Sequence, residues 1–204
     1  MPLPESLKTF WETCYTDGNT GWDRGESHPA LRQWIDAKEL SPCRMVVPGC
    51  GRGYEVLHLC QLGFEVTAID YAQAPIDYLR SKLEAEGQTA ELIQADLFDV
   101  EFSNQLDAVY EQTCLCAIAP ELRTKYAEKV SQWLKPGGKL FLLMMQASEA
   151  EGPPFHCEVA DMKNLFPEPV WEWPESPPVV YEHPRGKLLE LATVLTRGTP
   201  SASG

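Results

Sequence analysis

"VVPGCGRGYEVLHL", residues 46–59, sets an apolar run directly against three glycines and then a helical pattern. The run reads as the end of a strand, and the residues after Gly53 carry helical spacing, so the glycines mark a strand-to-helix turn. Gly49, Gly51 and Gly53 stand at G-x-G-x-G spacing. Glycine at such a turn lets a ligand approach the backbone, while the N-terminus of the next helix offers unpaired N–H donors.

Outward from that turn, short β-branched runs alternate with longer helical segments, the pattern of a parallel sheet covered by helices. "RMVVP" (44–48) reads as the first strand, "YEVLHLCQL" (54–62) as a helix ended by Gly63, and "EVTAID" (65–70) as the second strand. A helix over 73–87 places Ile76, Leu79 and Leu83 on one face, and "AELIQAD" (90–96) follows as the third strand. "QLDAVYEQ" (105–112) is the fourth. "PELRTKYAEKVSQWL" (120–134) opens with proline at a first helical position, and "KPGG" stops it before a buried strand, "KLFLLMM" (139–145). Beyond about residue 165 the chain is crowded with prolines, which predicts loop with an edge strand near 179–181. "KLLELATVLTR" (187–197) reads as a closing antiparallel strand or, alternatively, a helix, and 198–204 as a frayed tail.

The 204 residues fit one domain able to bury a core without disulfides or metal. Net charge is −13, which repels a phosphate backbone, so no nucleic-acid partner is expected. No run reaches the roughly 18 apolar residues of a membrane span, and the first ten residues lack a signal-peptide centre. The expectation is a soluble, cytoplasmic monomer without a metal. Seven scattered cysteines read as reduced thiols; Cys114 either lines a pocket or is buried.

Asp70 lies 17 residues beyond Gly53, at the end of the second strand, where an acid can accept from both ribose hydroxyls of an adenosine-type cofactor. Nicotinamide dinucleotides and S-adenosylmethionine both use this layout. A dinucleotide turn wants its third glycine three residues after the second; here that position is Tyr54. Asp96, ending the third strand within "QADLFD", is placed to reach an adenine amine, and "LKPGGKLFLL" punctuates the entry to the next strand.

"GCGRG" with Asp70, "QADLF" and "LKPGG" resembles the class I S-adenosylmethionine-dependent methyltransferases. "FWETCYTDGNTGWDRGESHPAL", "VVPGCGRGYEV", "CAIAPELR" and "GPPFHC" narrow the resemblance to the thiopurine/thiol/halide S-methyltransferase family, over about residues 10–157. It implies a single Rossmann-like domain with a mostly parallel seven-stranded sheet, helices on both faces and an N-terminal aromatic lid: residues 1–40 covering the cofactor, 41–197 the α/β core. It implies further that Trp11, Tyr15 and Trp22 wall the cofactor, Gly49 and Gly51 line it, and Asp70 holds its ribose. Asp96 and Leu97 would border the adenine, and Gln112 would touch the methionine end. Without the resemblance, Trp11, Tyr15 and Trp22 read as an amphipathic segment docked on the core. Glu111-Gln112 stands where thiopurine methyltransferases characteristically carry Asp-Arg, and "CAIAPELR" looks like the thiol and halide branch. Pro48 stands where many class I enzymes keep an acid.

The reading is therefore methyl transfer from S-adenosylmethionine to a small thiol, sulfide or similar soft nucleophile, leaving S-adenosylhomocysteine. Candidates on the acceptor side are Arg24, Arg52, Phe155 and His156. Arg52 can attract an anion or simply pair with an acid, and His156 can take a proton or stand solvated. No side chain is assigned catalysis. Alternatives are a thiopurine, halide or metalloid methyltransferase within the fold, a nicotinamide-dependent oxidoreductase, or a non-catalytic sensor that binds the cofactor.

Overall fold

The βαβ pattern around the glycine turn forms because its strands are continuous apolar runs and its helices carry apolar faces. A computed structural model describes residues 5–147, 152–183, 186 and 188–199, and the chain divides after Val100 into two compact units. Residues 200–204, most of the expected tail, lie outside the described residues.

The first unit runs α1 (Glu5–Thr16), α2 (Pro29–Asp36), β1 (Arg44–Pro48), α3 (Tyr54–Gln61), β2 (Glu65–Asp70), α4 (Gln73–Ala85) and β3 (Glu91–Gln94). β2 lies between β1 and β3 and is parallel to both, with Val46 opposite Thr67 and Ile69 opposite Ile93. Met45 and Val46 are fully buried although neighbours on a strand face opposite ways, as expected of a sheet covered on both sides. Ile76, Leu79 and Leu83 form the buried stripe of α4. That helix opens at Ala72, which has no capping side chain. Glu12 of α1 supplies the cap instead, accepting from the N–H groups of Gln73 at 2.7 Å and Ala74 at 3.2 Å.

The second unit runs β4 (Leu106–Glu111), a 3₁₀ turn (Pro120–Leu122), α5 (Arg123–Trp133), β5 (Leu134–Gln146), α6 (Val159–Leu165), β6 (Trp171–Glu172), β7 (Val179–Glu182) and β8 (Leu189–Arg197). β4 and β5 are parallel, while β8 runs antiparallel to β5 over eight register pairs and carries β6 and β7 antiparallel on its other edge. Residues 189–197 thus form the closing strand rather than a helix.

Three boundaries differ from the sequence reading. The segment 120–134 starts as a 3₁₀ turn and becomes α-helical only at Arg123. The "KPGG" stretch lies inside β5 rather than before it, as a register irregularity between Leu106 and Ala108 of β4. The proline-rich stretch holds β6, with α6 just before it, so the described residues contain eight strands instead of seven. β6 is two residues long, too short for periodicity to reveal, and it forms because Trp171 is buried against Phe166. All seven cysteines are unbridged, and Cys114 is buried. No helix among the described residues is long and apolar enough to cross a membrane.

Candidate functional site

In the first unit the glycine turn and Asp70 meet directly. Gly49, Gly51 and Gly53 all have positive φ, a conformation costly for residues with a Cβ. The Gly51 N–H donates to Asp70 Oδ2 at 3.0 Å, and the Ala72 N–H donates to Oδ1 at 3.0 Å. The Tyr71 N–H is a third backbone donor; a carboxylate has about four acceptor sites, so these bonds leave capacity for a ligand hydroxyl. Burial pushes the Asp70 carboxyl up to about 6, opposed by its backbone N–H donors and assisted by the nearby Glu12 charge.

The aromatic beginning of the chain packs onto this turn. A Cβ on Gly51 would meet the Tyr15 hydroxyl at 2.8 Å, and one on Gly53 would meet Leu79 at 2.6 Å. A Cβ at either of these two positions would therefore force Tyr15 or Leu79 to shift, a constraint the sequence does not display. Trp22 stands edge-on to Trp11 and Tyr15, with centroids at 5.2 and 5.7 Å. Burial, then the Asp70 charge, drives the Tyr15 phenol far above its ordinary value, so it stays protonated.

Arg52 leaves the turn to pair with Asp23 Oδ2 at 2.7 Å, and the Tyr54 hydroxyl donates to the same oxygen at 3.3 Å. Asp23 Oδ1 accepts from the Gly25 N–H at 2.7 Å. Farther along, Glu55 Oε1 accepts from the His28 N–H at 2.9 Å, and His28 Nδ1 caps α2 through the Ala30 N–H. These contacts hold residues 15–28 against the glycine turn. Arg24 is half-buried in that stretch. Asp96 is buried and caps the 3₁₀ turn Leu97–Asp99 through the Phe98 N–H at 3.1 Å, while the Ala95 N–H bonds the Asp70 carbonyl at 3.1 Å. That bond brings Asp96 and the buried Leu97 beside the end of β2.

In the second unit Gln112 follows β4, its side-chain oxygen accepting from the Tyr110 hydroxyl at 2.8 Å. Phe155 reaches the same region by backbone, its N–H donating to the Cys116 carbonyl at 2.7 Å. The exposed His156 ring faces Glu158 at 3.3 Å, but its carbonyl accepts from Arg123 Nη1 at 3.0 Å. The structure thus gathers Trp11, Tyr15, Trp22, Gly51, Arg52, Asp70, Asp96 and Leu97 in one unit, and Gln112, Phe155 and His156 in the other.

The sequence reading gave no role to Glu12, Asp23 or Glu111. Asp23 was visible as an acid beside Trp22. Glu12 had no signal, because its partners are backbone amides about sixty residues away. Glu111 is fully buried, and burial pushes it up to about 7.

Comparison with known proteins gives these features a context. The model of the thiopurine S-methyltransferase (TPMT) family matches residues 7–179. "Probable thiol methyltransferase 2" of Arabidopsis thaliana is 28% identical over 167 residues, covering 80% of this chain and 74% of the relative. "Thiocyanate methyltransferase 1" of Brassica oleracea is 28% identical over 171 residues, with coverage of 80% and 74%. In fold, the chain resembles the Burkholderia thailandensis 1,6-didemethyltoxoflavin-N1-methyltransferase, solved with bound 1,6-didemethyltoxoflavin and S-adenosylhomocysteine, at a TM-score of 0.78 and 16% identity. That likeness covers 95% of this chain and 88% of the other. With residues 7–179 matched, the chain belongs to the thiopurine S-methyltransferase family.

Proposed function

We propose that this S-methyltransferase takes its methyl group from S-adenosylmethionine and delivers it to a small thiol, sulfide or similar soft nucleophile, the whole chain acting as one methyltransferase domain. The observation that carries the reading is Asp70, which grips the glycine turn through Gly51 and still has acceptor sites to offer. When bound, S-adenosylmethionine supplies a methyl group already activated by positive charge on sulfur.

The chain's residues then orient rather than react. Asp70 accepts from ribose hydroxyls, and Asp96 and Leu97 border the adenine. Gly49 lines the methionine portion, Gly51 borders the cofactor, and Gln112 touches the methionine end. The faces of Trp11, Tyr15 and Trp22 lie beside the charge, where aromatic rings stabilise a cation without competing as nucleophiles. A thiol near its ordinary pKa is partly thiolate at neutral pH, so an in-line displacement needs alignment more than a base. Arg24, Arg52, Phe155 and His156 are the acceptor-side candidates. Arg52 already pairs with Asp23, which reduces its pull on an anion.

The relatives named for thiol and for thiocyanate support a soft acceptor, and Gln112 following Glu111 speaks against the thiopurine pattern. The test has two parts. S-adenosylhomocysteine and NAD are titrated against the protein by calorimetry; binding of NAD alone overturns the proposal in favour of an oxidoreductase. Hydrogen sulfide, methanethiol, thiophenol, iodide, thiocyanate and 6-mercaptopurine are then offered with labelled methyl donor. Transfer to a thiol or sulfide is the expected result, and binding without transfer to any acceptor points to a sensor.

A further inference from the structure

Glu111 ends β4 with its side chain sealed from solvent, and the groups bonded to it are all donors. Oε1 accepts from the N–H groups of Cys114 at 3.2 Å and Leu115 at 3.0 Å. Oε2 accepts from the Leu115 N–H at 3.1 Å and the Tyr126 hydroxyl at 2.6 Å. Four donor contacts on two oxygens match an ionised carboxylate. A proton on either oxygen would face donors, and only a reversal of the Tyr126 hydroxyl relieves that conflict.

What the carboxylate holds is the turn after β4. Gln112 opens that turn, and its Cys116 carbonyl takes the Phe155 N–H. Arg123, also buried, reaches the same segment from α5, its Nη1 and Nη2 donating to the carbonyls of His156 at 3.0 Å and Phe155 at 3.3 Å. One network therefore joins the end of β4 to both stretches that carry the second unit's candidate residues. The titratable and charged groups around it are Tyr126 and Arg123 of α5, Cys114 and Cys116 of the turn, Cys157, and Glu190 of β8.

We infer that Glu111 is a positioning residue for methyl transfer: its ionised carboxylate holds the 112–118 turn and, through that turn, residues 155–157, and protonation breaks those bonds and loosens both while the side chain stays buried. The link to methyl transfer rests on the proposed function; the hold on the turn does not. Burial raises this carboxyl to about 7, while the Tyr126, Leu115 and Cys114 bonds and Arg123 oppose the rise. Losing those bonds with the side chain still buried raises it further, so proton uptake favours the loosened turn; an opening that let water reach the carboxyl would favour the held turn instead.

Amide exchange of the wild-type protein, corrected for intrinsic rates, is followed from about pH 5.5 to 8.5. Protection at 112–118 is expected to fall at least tenfold on the acid side, with one midpoint near neutrality. Glu111→Gln, checked for folding by circular dichroism, is expected to exchange at the low-pH rate throughout. Tyr126→Phe removes a donor that favours the ionised form, so its midpoint should move upward. In methyl transfer, the wild-type to Glu111→Gln ratio of kcat cancels the acceptor's own ionisation. It should be tenfold or more at about pH 8 and close to one below pH 6, with KM for the acceptor changing less. A flat exchange profile, or a kcat ratio independent of pH, overturns the inference. If the wild type methylates nothing, the proposed function fails, and the exchange profile still decides whether Glu111 holds the turn.

Discussion

Each unit ends a parallel strand with an acid, and the two acids are bonded differently. Asp70, at the end of β2, accepts from the backbone of Gly51, Tyr71 and Ala72 and keeps capacity for a further donor. Glu111, at the end of β4, is sealed, and its two oxygens take four contacts from Cys114, Leu115 and Tyr126. The first acid keeps capacity for a further donor; the second has its bonds inside the fold. Two buried carboxylates at strand ends can thus differ in what they have left to offer, and the number of donors already bound to each sets that difference.

The comparison breaks most visibly under truncation. Glu111→Ala should cost about 3–5 kcal/mol of stability, because two amides and the Tyr126 hydroxyl are left buried without partners. Urea unfolding at pH 8 checks this, and a loss below 1 kcal/mol would mean that the turn rearranges around the gap.

Proton linkage sharpens it next. Asp70 titrates at about 6 in the folded chain, above its unfolded value, so the native state binds the extra proton between about pH 4 and 6. Its contribution to stability without cofactor therefore falls as pH rises through that window and is level above it. Asp70→Asn lacks this slope. Its stability relative to wild type should rise by on the order of 2–3 kcal/mol from about pH 4 to pH 7, measured by unfolding across that range.

Binding separates the two acids more directly. Asp70→Ala should weaken S-adenosylhomocysteine binding by about 1.5–3 kcal/mol, the loss of charge-assisted hydrogen bonds, as read by calorimetry. Unchanged affinity in a folded variant would move the ribose contact elsewhere. Gly51→Ala should cost about 1–3 kcal/mol of stability, since the position has φ +53° and a Cβ would strike the Tyr15 hydroxyl; thermal denaturation reports it. The smallest effect is expected of Arg52→Ala, about 0–1 kcal/mol of stability, because its ion pair with Asp23 is partly exposed. Steady-state kinetics should show its KM rising more for anionic than for neutral acceptors, and equal changes would remove Arg52 from the acceptor side.

Much of the fold was legible because it rests on local signals. The parallel strands around the glycine turn, the helix over 73–87 and the antiparallel return at 189–197 follow from apolar runs, helical spacing and glycine stops. The short β6 and α6 were not legible, since prolines flank them and burial of Trp171 and Phe166, not propensity, holds them. In the candidate site, the juxtaposition of Asp70 with the glycine turn was readable from spacing. The partners of Glu12, Asp23 and Glu111 were not, because they are backbone amides and distant side chains that leave no pattern along the chain.

By itself, then, the amino-acid order determined the alternation of strand and helix and the glycine turn with its acid seventeen residues on, since both are written in neighbouring residues. That Tyr15 occupies the space above Gly51, that Arg52 answers to Asp23 and that Glu111 is spent inside the fold are outcomes of packing in three dimensions. These depend on which distant groups arrive in hydrogen-bond range, and that is settled when packing removes water and each buried donor must find an acceptor.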